Sequence, residues 1–119
     1  MLLKDISNIS SFLAGDETIL KEILHPNNDA IDIQYSIAHA RLEIGKKSLP
    51  HQLKSSEVYL VLQGKGEVHI DAEVSEITAN QLVFIPKNAM QWIENTGDTD
   101  LVFLCIVEPF WKMEDEVVL

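Results

Sequence analysis

Residues 45–64 read GKKSLPHQLKSSEVYLVLQG, and the second half of this stretch decides the fold. From Glu57 to Gln63 the side chains alternate with period two. Glu57, Tyr59, Val61 and Gln63 share one face, and Val58, Leu60 and Leu62 share the other. The Gly64-Lys65-Gly66 turn closes the strand. A carboxylate that shares a face with Tyr59 and Val61 is expected to point inward with them, where its charge or proton needs a partner. Upstream, Pro50 biases Leu49 to extended backbone and stiffens the approach to His51. Gln91 follows the Pro86-Lys87-Asn88 turn and is placed to be the partner of Glu57 from across a barrel.

Outward from this stretch the chain keeps the same habit: short runs of period two broken by Gly, Pro, Asn and Asp. TILKEIL (18–24) reads as a strand stopped by His25-Pro26, and IQYSIAHARLEI (33–44) as another ending at Gly45. EVHIDAEVSEI (67–77) contains a hairpin turn around Asp71 to Glu73. LVFIP (82–86) is expected to be a short buried strand, and MQWIEN (90–95) ends in the turn Asn95-Thr96-Gly97-Asp98. DLVFLCIVEP (100–109) is a continuous apolar run, which predicts burial on both faces. The tail FWKMEDEVVL is expected to form a short helix or to pack on the barrel exterior. Strands at this spacing with scarcely a helix predict an all-β sandwich or barrel.

Composition bounds the function. At 119 residues the chain is one domain, with no repeat or linker. Its formal net charge is -10, and its nine basic residues are eight lysines and Arg41. A nucleic-acid binder needs clustered cations to neutralise phosphates, so nucleic acid is a poor partner. No apolar run reaches the roughly 18 residues of a membrane span, and the N-terminus lacks the pattern of a secretory signal. The single cysteine, Cys105, lies in an apolar strand and reads as inert packing. A cytoplasmic, reducing setting fits these features. Neither a Ser/His/Asp nor a Cys/His arrangement is indicated, and Gly64-Lys65-Gly66 is a hairpin turn, not a phosphate loop.

At this point the spacing resembles that of the cupin superfamily. In the first cupin motif a Gly is followed after five residues by His-x-His, then by Glu and, six residues on, a second Gly. Gly45, His51, Glu57 and Gly64 stand at those positions, with Leu53 in place of the second His. The stretch NQLVFIPKNAMQWIEN (80–95) is similar to the second motif, with Pro86 and Asn95 matching. Asn80 and Asn88 replace its two glycines, and Asn tolerates the positive φ that Gly supplies. Gln91 stands where that motif has its metal-binding His. The resemblance implies an all-β cupin fold over residues 1–119, a double-stranded β-helix or jelly-roll barrel, with motifs at 45–64 and 80–95. Small stand-alone cupins of the mannose-6-phosphate isomerase-like kind are the most similar.

The same resemblance implies a pocket. A standard cupin site offers three His and one Glu to iron, manganese, nickel or zinc. Here His51, Glu57 and Gln91 would be the metal ligands, a weaker and harder set than three imidazoles. The alternative is a metal-free pocket in which the three hydrogen-bond one another. His39 is a candidate fourth ligand or substrate contact if its face, with Arg41, turns inward. Tyr59 is a second substrate-binding candidate. Trp92 is expected to pack away from the pocket, and His25 and His69 are not ligand candidates. Two functions follow as alternatives: a small metal-binding enzyme of dioxygenase or isomerase type, or a non-catalytic or vestigial ligand-binding barrel. A homodimer is expected, since the N-terminal strand, Phe110 and Trp111 need cover.

Overall fold

The computed structural model describes residues 1–119. In chain order the strands are β1 (Phe12–Leu13), β2 (Ile19–Leu24), β3 (Ser36–Leu42), β4 (His51–Leu53), β5 (Ser56–Gln63) and β6 (Lys65–Ile70). They continue as β7 (Glu73–Thr78), β8 (Leu82–Ile85), β9 (Gln91–Asn95), β10 (Leu101–Glu108) and β11 (Glu116–Val118). One sheet has the order β1-β2-β3-β10-β5-β8, and the other β11-β4-β9-β6-β7. All pairings are antiparallel, and the two sheets face each other as a jelly-roll barrel. The only α-helix is the single turn Pro26–Asp29, for which His25 is the N-cap.

Period-two alternation builds the core. From β10, Leu101, Phe103, Cys105 and Val107 point inward. They meet Ala40 and Leu42 of β3, Tyr59 and Val61 of β5, and Val68 and Ile93 of the opposite sheet. Turn chemistry is equally legible. Asn80 and Asn88 take φ of 71° and 66°, the left-handed conformation expected where the motif has glycine. Gly64 has φ of 91°, and a Cβ there would sit 2.7 Å from the Asp100 carbonyl oxygen, so no other residue fits.

Three expectations change. The β8 strand is buried on its inner face only: Ile85 is in the core, but Leu82 and Phe84 are 62% and 59% exposed, because β8 is an edge strand and nothing covers its outer face. In β10 only the inward residues are fully buried, since the barrel has one interior and the outer residues are covered only by neighbouring side chains. The tail, after a turn at Met113–Asp115, forms β11 against β4 and so becomes part of the barrel wall.

Candidate functional site

His51 opens β4, and its register partner across the sheet is Gln91 at the start of β9. Glu57 and Tyr59 lie on the inner face of β5 in the opposite sheet. Gln91 spans the space between the sheets. Its Nε2 donates to Glu57 Oε1 at 2.6 Å and to the Tyr59 hydroxyl oxygen at 2.9 Å. Glu57 is 6% exposed. Burial pushes its carboxyl up to about 8, partly offset by the Gln91 hydrogen bond and reinforced by Asp16. Burial likewise raises the Tyr59 phenol, with the Glu57 carboxyl adding to the effect. Both groups therefore hold their protons near neutral pH.

His51 is 3% exposed. Its Nδ1 lies 2.8 Å from the Leu49 carbonyl oxygen, which requires a proton on that nitrogen. In the neutral ring the lone pair is then on Nε2, whose nearest charged neighbour is Asp16 Oδ2 at 3.7 Å.

These groups face a cavity of about 150 Å³ at the end of the barrel opposite the Gly64 turn. His51, Glu57 and Tyr59 line it, with an apolar body that includes Leu53, Phe103 and Val107. Gln91 sits behind Glu57 and Tyr59 and does not line the cavity itself. Leu53, where the motif has its second His, contributes hydrocarbon only. Cys105 packs in the core as expected, but it also reaches the cavity wall. Burial raises its thiol well above the ordinary range, and the neighbouring Glu57 and Asp16 carboxyls raise it further.

Two wall residues escaped sequence reasoning, Asp16 and Glu116. Asp16 closes a turn before β2, its Oδ1 accepting from the Thr18 amide at 3.1 Å and the Thr18 hydroxyl at 2.7 Å. The Gly15-Asp16-Glu17-Thr18 stretch carries that turn signal, but nothing in it says that the turn folds over the barrel mouth. Glu116 arrives on β11. Its carboxyl is raised by burial, against the lowering effect of His51.

His39 does not join them. On β3 it pairs with Lys21 and Leu104 and points outward, opposite in phase to the buried Ala40. Burial against the outer face and the neighbouring Lys21 lower its imidazole. Arg41, on the same face, forms an ion pair with Asp100 at 3.2 Å. Of the other candidates set aside, Trp92 stacks on His69 outside the barrel, ring centroids 3.5 Å apart. Both ring nitrogens of His25 are engaged, by Asn27 N–H and the Trp111 carbonyl.

Residues 38–107 match the model of the cupin domain, more than half of the chain. The chain is a member of the cupin family. An uncharacterized protein of Methanocaldococcus jannaschii is 32% identical to this cupin over 116 residues, covering 97% of this chain and 92% of that one. Among solved structures, a predicted oxalate decarboxylase from Thermotoga maritima superposes with a TM-score of 0.80. It has 23% identity and covers 91% of this cupin and 99% of that chain. The nucleoside dehydratase Pac13 superposes with a TM-score of 0.79 at 17% identity, covering 100% and 91%. The two solved structures share the fold and differ in the chemistry named for them, so the fold carries no reaction with it.

The metal that the family resemblance implies can be tested against the donors present. No three His, Cys, Asp or Glu side chains converge in a way that would hold an ion. Gln91 turns its amide nitrogen, not a donor oxygen, toward Glu57. His51, Glu57 and Gln91 come close, but Gln91 bonds to Glu57 and Tyr59 while His51 stands apart on the Leu49 carbonyl, and as arranged the three do not fit a metal.

Proposed function

We propose that this cupin binds a small organic molecule in the cavity and moves protons on it, isomerase-type chemistry without a resident metal. The observation that carries the reading is His51. It is a buried imidazole with Nδ1 held by the Leu49 carbonyl and Nε2 free at the cavity wall. A base needs this geometry: one nitrogen fixed by the fold, the other presented to substrate. Glu57 supplies the complementary acid. Gln91 occupies Oε1, which leaves Oε2 to carry the proton. With its carboxyl pushed up to about 8, Glu57 keeps a proton to give near neutral pH. In the step envisaged, His51 Nε2 takes a proton from the bound molecule while Glu57 gives one to an oxygen of it. Net proton count is unchanged, and Tyr59 contributes a second hydroxyl donor.

The test is to dialyse the protein against EDTA and incubate it in D2O with hydroxyaldehydes, hydroxyketones and amino alcohols of about six non-hydrogen atoms, following exchange or isomerisation by proton NMR. Turnover should persist without metal and fall by about 10²–10⁴ in His51→Ala and Glu57→Gln. Stoichiometric metal in the purified protein, with activity lost to EDTA and restored by iron, manganese, nickel or zinc, would establish the metal-dependent reading instead. One observation favours that second reading. A histidine whose other nitrogen donates to a backbone carbonyl is also oriented as metal-binding histidines are. Binding without turnover would mark the barrel as a non-catalytic ligand carrier.

A further inference from the structure

The inference here rests on the reading of the cavity as a ligand site. Two polar atoms in its wall accept no hydrogen bond from the chain and are open to the cavity. One is Nε2 of His51, a side chain 3% exposed, with its lone pair toward the cavity in the neutral ring. The other is Oδ2 of Asp16, a residue 8% exposed whose Oδ1 is already satisfied by Thr18. The two atoms lie 3.7 Å apart, too far for a hydrogen bond between them. With the His51 ring neutral both are acceptors, and what they lack is a donor.

The class of ligand follows from counting protons. A carboxylate brings none, and neither does the dianion of a phosphate monoester. A hydroxyl brings one and satisfies one of the two atoms. A protonated primary amine brings enough N–H groups to serve both from a single nitrogen. The surrounding charge points the same way. Glu22 and Glu116 also line the cavity, and no lysine or arginine does. Phe12 and Phe103 supply aromatic surface beside them, and ring faces attract cations.

We propose that the cavity selects a small organic ammonium compound, its nitrogen seated between Asp16 Oδ2 and His51 Nε2 and its carbon body against Leu20 and Phe103. A cavity near 150 Å³ admits about six non-hydrogen atoms, the size of benzene. Small dianions are the least favoured class.

Calorimetric titration of the EDTA-treated protein at constant ionic strength tests this with n-butylammonium, 1-butanol, butyrate and oxalate. The ammonium should saturate at least about tenfold tighter than the alcohol, the increment of a charge-assisted hydrogen bond. The two anions should not bind. Asp16→Asn, which keeps the Thr18 hydrogen bonds, should weaken the ammonium about tenfold, and Glu116→Gln should weaken it to a smaller degree. Glu67→Gln, on the outer face, should leave it unchanged. Should Asp16→Asn fail to fold, Glu116→Gln and the ¹⁵N shift of His51 Nε2 on adding n-butylammonium still decide the matter. Equal affinity for 1-butanol would overturn the ammonium inference while sparing the ligand site, as would tighter binding of either anion. Stoichiometric uptake of zinc ion alone that displaces the ammonium would overturn it in favour of a metal. No response to any probe would overturn both readings.

Discussion

Burying a carboxyl group inside a barrel is costly unless the group stays neutral or finds donors, and Glu57 does both. Its neutral form is the one the fold stabilises, so the pH dependence has a definite sign. The folded-state value of about 8 lies above the ordinary 4.5. Over that window the folded chain holds a proton that the unfolded chain releases. The contribution of Glu57 is therefore fully present below pH 4.5 and is lost as pH rises toward 8, with a slope of up to about 1.4 kcal/mol per pH unit. Urea unfolding of the wild type between pH 5 and 8 should show this decline, and Glu57→Gln should flatten it. Gln91 is the donor that Glu57 and Tyr59 share. Gln91→Leu keeps the bulk and removes the amide, so it should cost about 1–3 kcal/mol at pH 6, read from the same curves. The inward aim of Glu57 was legible, because strand parity and apolar neighbours are local information. Its partnership with Gln91 was legible from motif spacing. Asp16 was not, because its place at the cavity depends on how a turn near the N-terminus folds over a strand from mid-chain.

At the scale of elements, the two substituted glycines of the second motif show what spacing can and cannot carry. Asn88 holds φ of 66°, which asparagine tolerates and a β-branched residue does not. Asn88→Gly should leave thermal stability nearly unchanged, whereas Asn88→Val should cost about 1–2 kcal/mol by denaturant titration. The first-motif glycine at position 64 is stricter, since a Cβ would meet the Asp100 carbonyl as well as an unfavourable φ. The phase of β3 was the unreadable element. Its residues alternate plainly, but both faces hold plausible inward residues: Ala38 and Ala40 on one, His39 and Arg41 on the other. Pairing with β10 decides the matter, placing Ala40 beside Phe103 inside and His39 beside Leu104 outside. The tail was undecided for a related reason. Three residues of β11 gain stability only from β4, a partner far away in sequence.

For the whole molecule, the homodimer is a proposal, and the grounds first offered for it change. Phe110 packs edge-on against His25, and Trp111 turns to the cavity wall, so neither needs a second chain to cover it. The apolar surface left open is the outer face of the β10-β5-β8 region, with Leu82 and Phe84 exposed. Strand register stacks Phe84, Val58 and Ile106 in one row and Leu82, Leu60 and Leu104 in the next. Hydrocarbon there is continuous across three strands, and it ends at charged residues on both margins: Arg41 on β3 with Lys21 of β2 beyond it, and Glu108 at the end of β10. An apolar field inside a charged margin of both signs can be self-complementary under a two-fold axis, and on that ground we propose a second copy of this chain as the occupant. Light scattering coupled to size exclusion should therefore report twice the 13.4 kDa chain mass. The double variant Leu82→Lys, Phe84→Lys changes only outward side chains on an edge strand, so it should remain folded by circular dichroism and run as a monomer. The cavity opens at the end of the barrel and not on this face, so ligand titrations on that monomer should match those on the wild type. A wild type that runs at 13.4 kDa at all concentrations, or a dimer untouched by the two lysines, would remove this face as the interface.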